Sequence, residues 1–147
     1  MKPLALFGCL LLGVAVATQA QEQTPQELPA IQLSAGIHLI QAQLALTPEQ
    51  HRVGLMFRQT MAANEGMLFA FPEVQQQCFW MKNTLLPLSA AFIADDGTVV
   101  NIEDMAPKTL DPHCSTKPVR FVLEMNQGWF ARRGITPGAR LQGAPFH

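Results

Sequence analysis

Short apolar runs with a period of two, cut at close intervals by proline and glycine, are what most limits the folds open to this chain. Val119, Phe121, Leu123 and Met125 alternate with Arg120 and Glu124. Successive side chains of a strand point to opposite faces, so residues 119–125 are expected as a half-buried strand. Ile37 and Leu39, then Ile40, Ala42, Leu44 and Leu46, alternate with one slip of phase, which predicts a strand with a bulge near Leu39-Ile40. Gly66 to Phe71 reads as a short buried strand closed by Pro72, and Cys78 to Asn83 as another, closed near Pro87. Ser89 to Ala94 is apolar on both faces and therefore central in its sheet. Asp95-Asp96-Gly97 has a glycine where a hairpin needs positive φ, and Thr98 to Glu103 returns as the partner strand. Gly138 to Leu141 adds a last short strand.

Helix signals are few. Thr47-Pro48-Glu49-Gln50 has a capping-box pattern with proline at the first helical position. The helix is expected to run to about Phe57 or Arg58, with Val53, Met56 and Phe57 toward the core. Gly128 to Arg133 reads as a helical turn ended by Gly134. Strands thus outnumber helices. The expected class is α+β: a compact, β-dominated single domain, mostly antiparallel sheet or a partly closed barrel, with one or two short helices.

The N-terminus has its own logic. Lys2 precedes an apolar run from Leu4 to Ala17, too short to span a bilayer comfortably and followed by small residues. That pattern predicts a secretory signal peptide at 1–20, cut after Thr18-Gln19-Ala20, with a cut after Ala17 as the other frame. Leu6-Phe7-Gly8-Cys9 resembles a lipoprotein box and offers anchoring through Cys9 as an alternative. Residues 21–30 are polar and contain two prolines, a flexible lead-in to a globular domain at 31–147. Losing Lys2 from the ten Lys+Arg leaves nine against eleven Asp+Glu, a formal charge of −2. This balance argues against nucleic acid or an anionic membrane as partner. An exported domain, periplasmic or secreted and not inserted in a membrane, is expected.

Two cysteines then remain, Cys78 and Cys114, in a compartment that permits disulfides, and a Cys78–Cys114 bond is the expected pairing. Two alternatives use Cys114 otherwise: a thiolate favoured by the adjacent His113, or a copper-type site of Cys114, His113 and methionines drawn from Met56, Met67, Met81 and Met105.

Taken in order, Gly54-Leu55-Met56-Phe57-Arg58, Glu65-Gly66-Met67-Leu68-Phe69, Phe79-Trp80-Met81-Lys82-Asn83-Thr84, Pro87-Leu88, Asp96-Gly97, Val122-Leu123-Glu124 and Gly128-Trp129 resemble domain-of-unknown-function family 192, small and often exported prokaryotic proteins. The resemblance spans about Ile37 to Leu141. It implies a single compact β-rich domain and brings no established activity. Many members carry an acidic residue after Pro-Leu, where this chain has Ser89, so a role for a carboxylate there does not carry over.

The candidate chemistry centres on residues 78–84. Alternation sends Phe79, Met81 and Asn83 to one face and Cys78, Trp80, Lys82 and Thr84 to the other. Trp80 and Lys82 suit cation–π stacking or recognition of an anionic ligand. Arg58 is expected at the end of the helix, capping it or joining Lys82 as an anion-binding pair. Glu124 needs a partner if buried, and Arg58, Lys82 or Arg120 could supply one. Arg58, Trp80, Lys82 and Glu124 are therefore the predicted binding residues of an exported binding or accessory module for a small molecule or protein. A small periplasmic enzyme using Lys82 and Glu124, and a metal-handling protein using Cys114, His113 and methionines, are the other readings. The chain has no Gly-x-Ser-x-Gly, His-Glu-x-x-His, phosphate-binding glycine loop or Cys-x-x-Cys, so no cofactor, metal or catalytic residue is assigned.

Overall fold

A computed structural model of the chain describes residues 23–146. The expected signal peptide, and Cys9 with it, lie outside the described residues. Those residues form β1 (Ala30–Ala35), β2 (His38–Ala45), α1 (Pro48–Val53), β3 (Glu65–Gln75), β4 (Cys78–Phe79), β5 (Leu88–Ile93), β6 (Val99–Met105), β7 (His113–Cys114), β8 (Val119–Asn126), a 3-10 turn (Ala131–Arg133) and β9 (Leu141–Gln142). Seven strands make one sheet in the order β6-β5-β8-β3-β2-β1-β9, and β4 pairs with β7 as a separate ribbon. Pairing is antiparallel except between β2 and β3, which run parallel with α1 in the connection between them.

The sheet curls into a half-barrel. β6 and β9 end the strand order on opposite sides, yet Thr98 bridges Arg140. Val99 N donates to Ala139 O at 2.8 Å, and Leu141 N to Gly97 O at 2.9 Å. Gly97 permits this approach. Its φ is +86, as the predicted hairpin turn requires, and a Cβ there would collide with the Leu141 carbonyl.

Apolar clusters cover both faces of the sheet. Leu68, Ala91, Ile93, Phe121, Leu123 and Met125 pack on one face with Trp129 and Phe130. Met67, Phe69, Ala90, Phe92 and Val122 pack on the other with Leu55 and Met81. β8 is therefore buried on both sides rather than half-buried, because loops and α1 cover the face that alternation leaves polar. Phe79 and Met81 join the core as expected, Phe79 at its margin.

Several boundaries differ from expectation. The slip of phase near Leu39 is a hairpin, not a bulge: Ala35 pairs with His38. Gly36, at φ +58, starts its two-residue turn, and Ile37 stands exposed at the tip. The capping box of Thr47 and Gln50 forms. The helix nevertheless ends at Val53, because Gly54 leaves helical space at φ 49. No residue of α1 itself is fully buried; of the residues expected toward the core, Met56 is buried just beyond the helix end, and Val53 and Phe57 are half-buried. β3 continues through Pro72 to Gln75, with its register against β8 shifting between Ala70 and Gln75. A proline is tolerated where the ladder is interrupted. The strand expected over Cys78–Asn83 stops at Phe79, and residues 80–84 turn away. Between Thr24 and Pro29 there is no helix or strand, but Gln26 Nε2 donates to the Gln50 and Gly54 carbonyls, both at 2.9 Å.

Gly66 lets β3 and β8 lie close. A Cβ there would collide with the carbonyl oxygen of Glu124 and the sulfur of Met125. Gly66→Ala must push buried backbone aside and is expected to cost about 2 kcal/mol or more. A thermal or urea unfolding midpoint equal to wild type would contradict this packing.

Candidate functional site

Three loops meet beside the β4–β7 ribbon. Phe57 N donates to Asn83 O at 2.9 Å, Met81 N to Thr109 O at 2.9 Å and Lys108 N to Thr84 O at 3.1 Å. The joined segments enclose a cleft of about 540 Å³, lined by Gln23, Phe57, Gln59, Lys82, Asn83, Leu85, Lys108 and Leu110. A volume of this order suits a small organic ligand. Two lysines line it, with three side-chain amides and three apolar residues, and no carboxylate is among the described lining residues.

The backbone of this cleft is unusual. Phe57, Asn83 and Lys108 have φ of 65, 54 and 61, and they are the only non-glycine residues with positive φ among those described. All three line the cleft. Asparagine enters this region readily; phenylalanine and lysine do so at a cost. Each such residue costs about 1–3 kcal/mol, and such conformations gather where a site needs a particular geometry.

A second feature lies on the sheet. Glu124 is 4 % exposed, opposite Met67 of β3 and Ala90 of β5. Burial alone pushes its carboxyl up from 4.5 to about 8, because no charge or donor among the described residues offsets the lost hydration. It lines a narrow cavity of about 30 Å³ with His51, Phe69, Phe79, Trp80 and Thr84.

The predicted binding residues are not one cluster. The expected partners of Glu124 are engaged elsewhere: Arg120 pairs with Asp95 at 3.3 Å. Arg58 Nη2 donates to Gln26 O at 2.8 Å and Gln43 Oε1 at 2.7 Å, with Glu27 at 3.8 Å. Since the helix ends at Val53, Arg58 does not cap it; the buried guanidinium instead ties residues 26 and 27 to β2. Lys82 Nζ lies 5.3 Å from the Trp80 ring centre, the predicted cation–π pair. Trp80 is half-exposed in a hollow of about 250 Å³ that shares Leu110 with the larger cleft. Lys82 thus faces the cleft and Glu124 the narrow cavity, which Trp80 also lines. Phe57, Asn83 and Lys108 were not among the predicted residues. Asn83-Thr84 is legible as a turn, but nothing in the local sequence marks Lys108 or Phe57 as left-handed.

Cys78 and Cys114 are joined in a disulfide across the ribbon. Cys114 is therefore neither a thiolate nor a metal ligand in this structure. Met67, Met81 and Met105 are packed in the apolar core. Ser89 Oγ donates to Asp104 Oδ1 at 2.5 Å and accepts from Gly128 N at 2.8 Å. It fixes the turn after β8.

Comparison with known proteins places the chain. The model of an uncharacterized ACR family, domain-of-unknown-function family 192, matches residues 30–143. The chain belongs to this family. Two solved structures are similar to the family 192 chain described here. One, from Sinorhizobium meliloti 1021, carries a provisional designation as a transcription regulator. It is 41 % identical, with 81 % of this chain and 98 % of that one aligned, at a TM-score of 0.74. The other, a protein of unknown function from Novosphingobium aromaticivorans DSM 12444, is 32 % identical, with 89 % and 99 % aligned, at a TM-score of 0.76. No curated protein matches the chain.

Proposed function

We propose that this family 192 chain is an exported binding module for a small organic anion with an apolar portion, taken up in the Lys82–Lys108 cleft. The observation that carries the reading is the meeting at one cleft of all three left-handed non-glycine residues among those described, two of them beside or at a lysine. Lys82 and Lys108 supply the positive charge, Asn83 a side-chain amide donor, and Phe57, Leu85 and Leu110 an apolar wall. Export rests on the signal-peptide pattern of residues 1–20, and the Cys78–Cys114 bond suits an oxidising compartment. Among the described residues no helix is long and apolar enough to cross a membrane. The designation of the Sinorhizobium relative is not carried over. Acidic residues outnumber basic ones here, the reverse of what a phosphate backbone demands.

Calorimetric titration with hexanoate and phenylacetate, with sulfate as an anion lacking an apolar part, tests the reading. Saturable binding of the two carboxylates is expected, weakened at least tenfold in Lys82→Ala/Lys108→Ala. Equal binding by wild type and the double variant would defeat it. Lys108→Gly gives a sharper contrast. Removing a left-handed lysine relieves strain and should stabilise the fold by roughly 1 kcal/mol, while weakening anion binding. Urea unfolding and the same titration measure both effects.

A further inference from the structure

Glu124 raises a question separate from the anion cleft. A buried polar group ordinarily has a partner, yet no hydrogen bond or ion pair reaches the Glu124 carboxyl from the described residues, and burial is the sole cause of its shift. The side chain faces a cavity of about 30 Å³, room for about two waters or one small polar group.

The other polar groups at this cavity are short of protons to give. His51 Nε2 lies 3.0 Å from Ala45 O. A carbonyl only accepts, so Nε2 carries the proton, and in the tautomer with its one proton there Nδ1 has a lone pair. Thr84 Oγ1 donates to Lys82 O at 3.2 Å, which leaves its lone pairs. Arg52 borders the cavity but directs both its hydrogen bonds to Glu49. His51, Arg52 and Glu124 are the titratable or charged side chains along the wall, from α1 and β8. Phe69 and Phe79, packed edge to face at 4.8 Å, complete it with Trp80, whose ring already has Lys82 at 5.3 Å. An acidic group, further acceptors and aromatic rings around a small space fit a cation that donates several hydrogen bonds.

We propose that this cavity is a binding site for a small protonated amine, the size of a methylammonium group, with the Glu124 carboxylate as its counter-ion. The alkyl part rests against Phe69, Phe79 and Met56, and the ammonium donates to Glu124. Binding requires the carboxylate, so amine bound at neutral pH releases up to one proton from Glu124, and apparent affinity rises with pH until Glu124 is ionised throughout. The volume admits ammonium and methylammonium and excludes tetramethylammonium. The site stands whether or not the Lys82–Lys108 cleft takes an anion.

The experiment follows the Glu124 side-chain carboxyl carbon by NMR in uniformly ¹³C-labelled protein across pH 5–10, at constant ionic strength, with sodium, methylammonium or tetramethylammonium chloride. Methylammonium is expected to lower the Glu124 midpoint by at least half a pH unit relative to sodium, saturably, and tetramethylammonium to leave it in place. Because this readout uses the wild-type chain, it does not depend on a variant that folds. Thermal unfolding at pH 9 adds a second comparison: methylammonium should raise the midpoint of wild type and not that of Glu124→Gln. A Glu124 midpoint indifferent to methylammonium, or moved equally by tetramethylammonium, overturns the site. So does an equal thermal response of wild type and Glu124→Gln.

Discussion

Glu124→Gln is expected to leave stability nearly unchanged at pH 5 and to exceed the wild type clearly at pH 9. In the folded chain the Glu124 carboxyl is raised from 4.5 to about 8 by burial. Between those values the native state holds a proton that the unfolded chain releases. Stability from this group is full below about pH 4.5, falls as pH rises, and is lost above about pH 8. The full span is on the order of 5 kcal/mol, large against the margin of a small domain. Glutamine keeps the shape and stays neutral, so the variant should lose this slope. Asp96 and Glu49 shift the opposite way. Hydrogen bonds from Thr98 hold Asp96 low, and the hydrogen bond from Arg52 does the same for Glu49. Both groups are exposed, and their downward shifts act on the acid side of the window that Glu124 governs. Urea unfolding of both proteins at pH 5, 7 and 9 measures the difference. Parallel pH profiles would mean that Glu124 finds a partner or water that keeps it ionised.

Breaking the Cys78–Cys114 bond is expected to cost about 4 kcal/mol on the chain-entropy account, given a sequence separation of 36 residues. A two-residue ribbon is not stable alone. Besides the disulfide it has the Gln77–Ser115 pair, with Ser115 N to Gln77 O at 2.8 Å and Gln77 N to Ser115 Oγ at 3.1 Å. The segments leading from its two strands supply Lys82 and Asn83 on one side and Lys108 on the other. Loosening the ribbon should therefore weaken anion binding as well as stability. Cys78→Ala/Cys114→Ala, or wild type held in reductant, should unfold at markedly lower urea. At a temperature where the double variant remains folded, it should bind hexanoate more weakly than wild type. Unchanged stability would show that the ribbon is fixed by its hydrogen bonds and the core beneath Phe79 and Met81.

What the sequence makes legible is local chemistry. The capping box at Thr47, the turn at Gly97, the 3-10 turn before Gly134 and the disulfide pair each depend on residue types whose preferences act over a few positions or, for the cysteines, on there being two. The parallel pairing of β2 with β3 and the curl that brings Gly97 to Leu141 depend on contacts distant in sequence, and alternation says nothing of them. Two-face burial of β8 had the same effect on Glu124. On a strand with one wet face its carboxylate would be ordinary; loops arriving from residues 54–56 and 79–84 make it buried. The cleft was half legible. Lys82 stands out in its aromatic setting, whereas Phe57 and Lys108 enter through backbone conformations imposed by the loops that bond to Asn83 and Thr84.

Backbone NMR reaches the anion cleft most directly. Titrating ¹⁵N-labelled protein with hexanoate should shift the amides of Phe57, Lys82, Asn83 and Lys108 along one saturable curve, while the amides of β9, none of which lines the cleft, stay in place. Saturable shifts confined to another surface, or no saturable shifts at all, would contradict it.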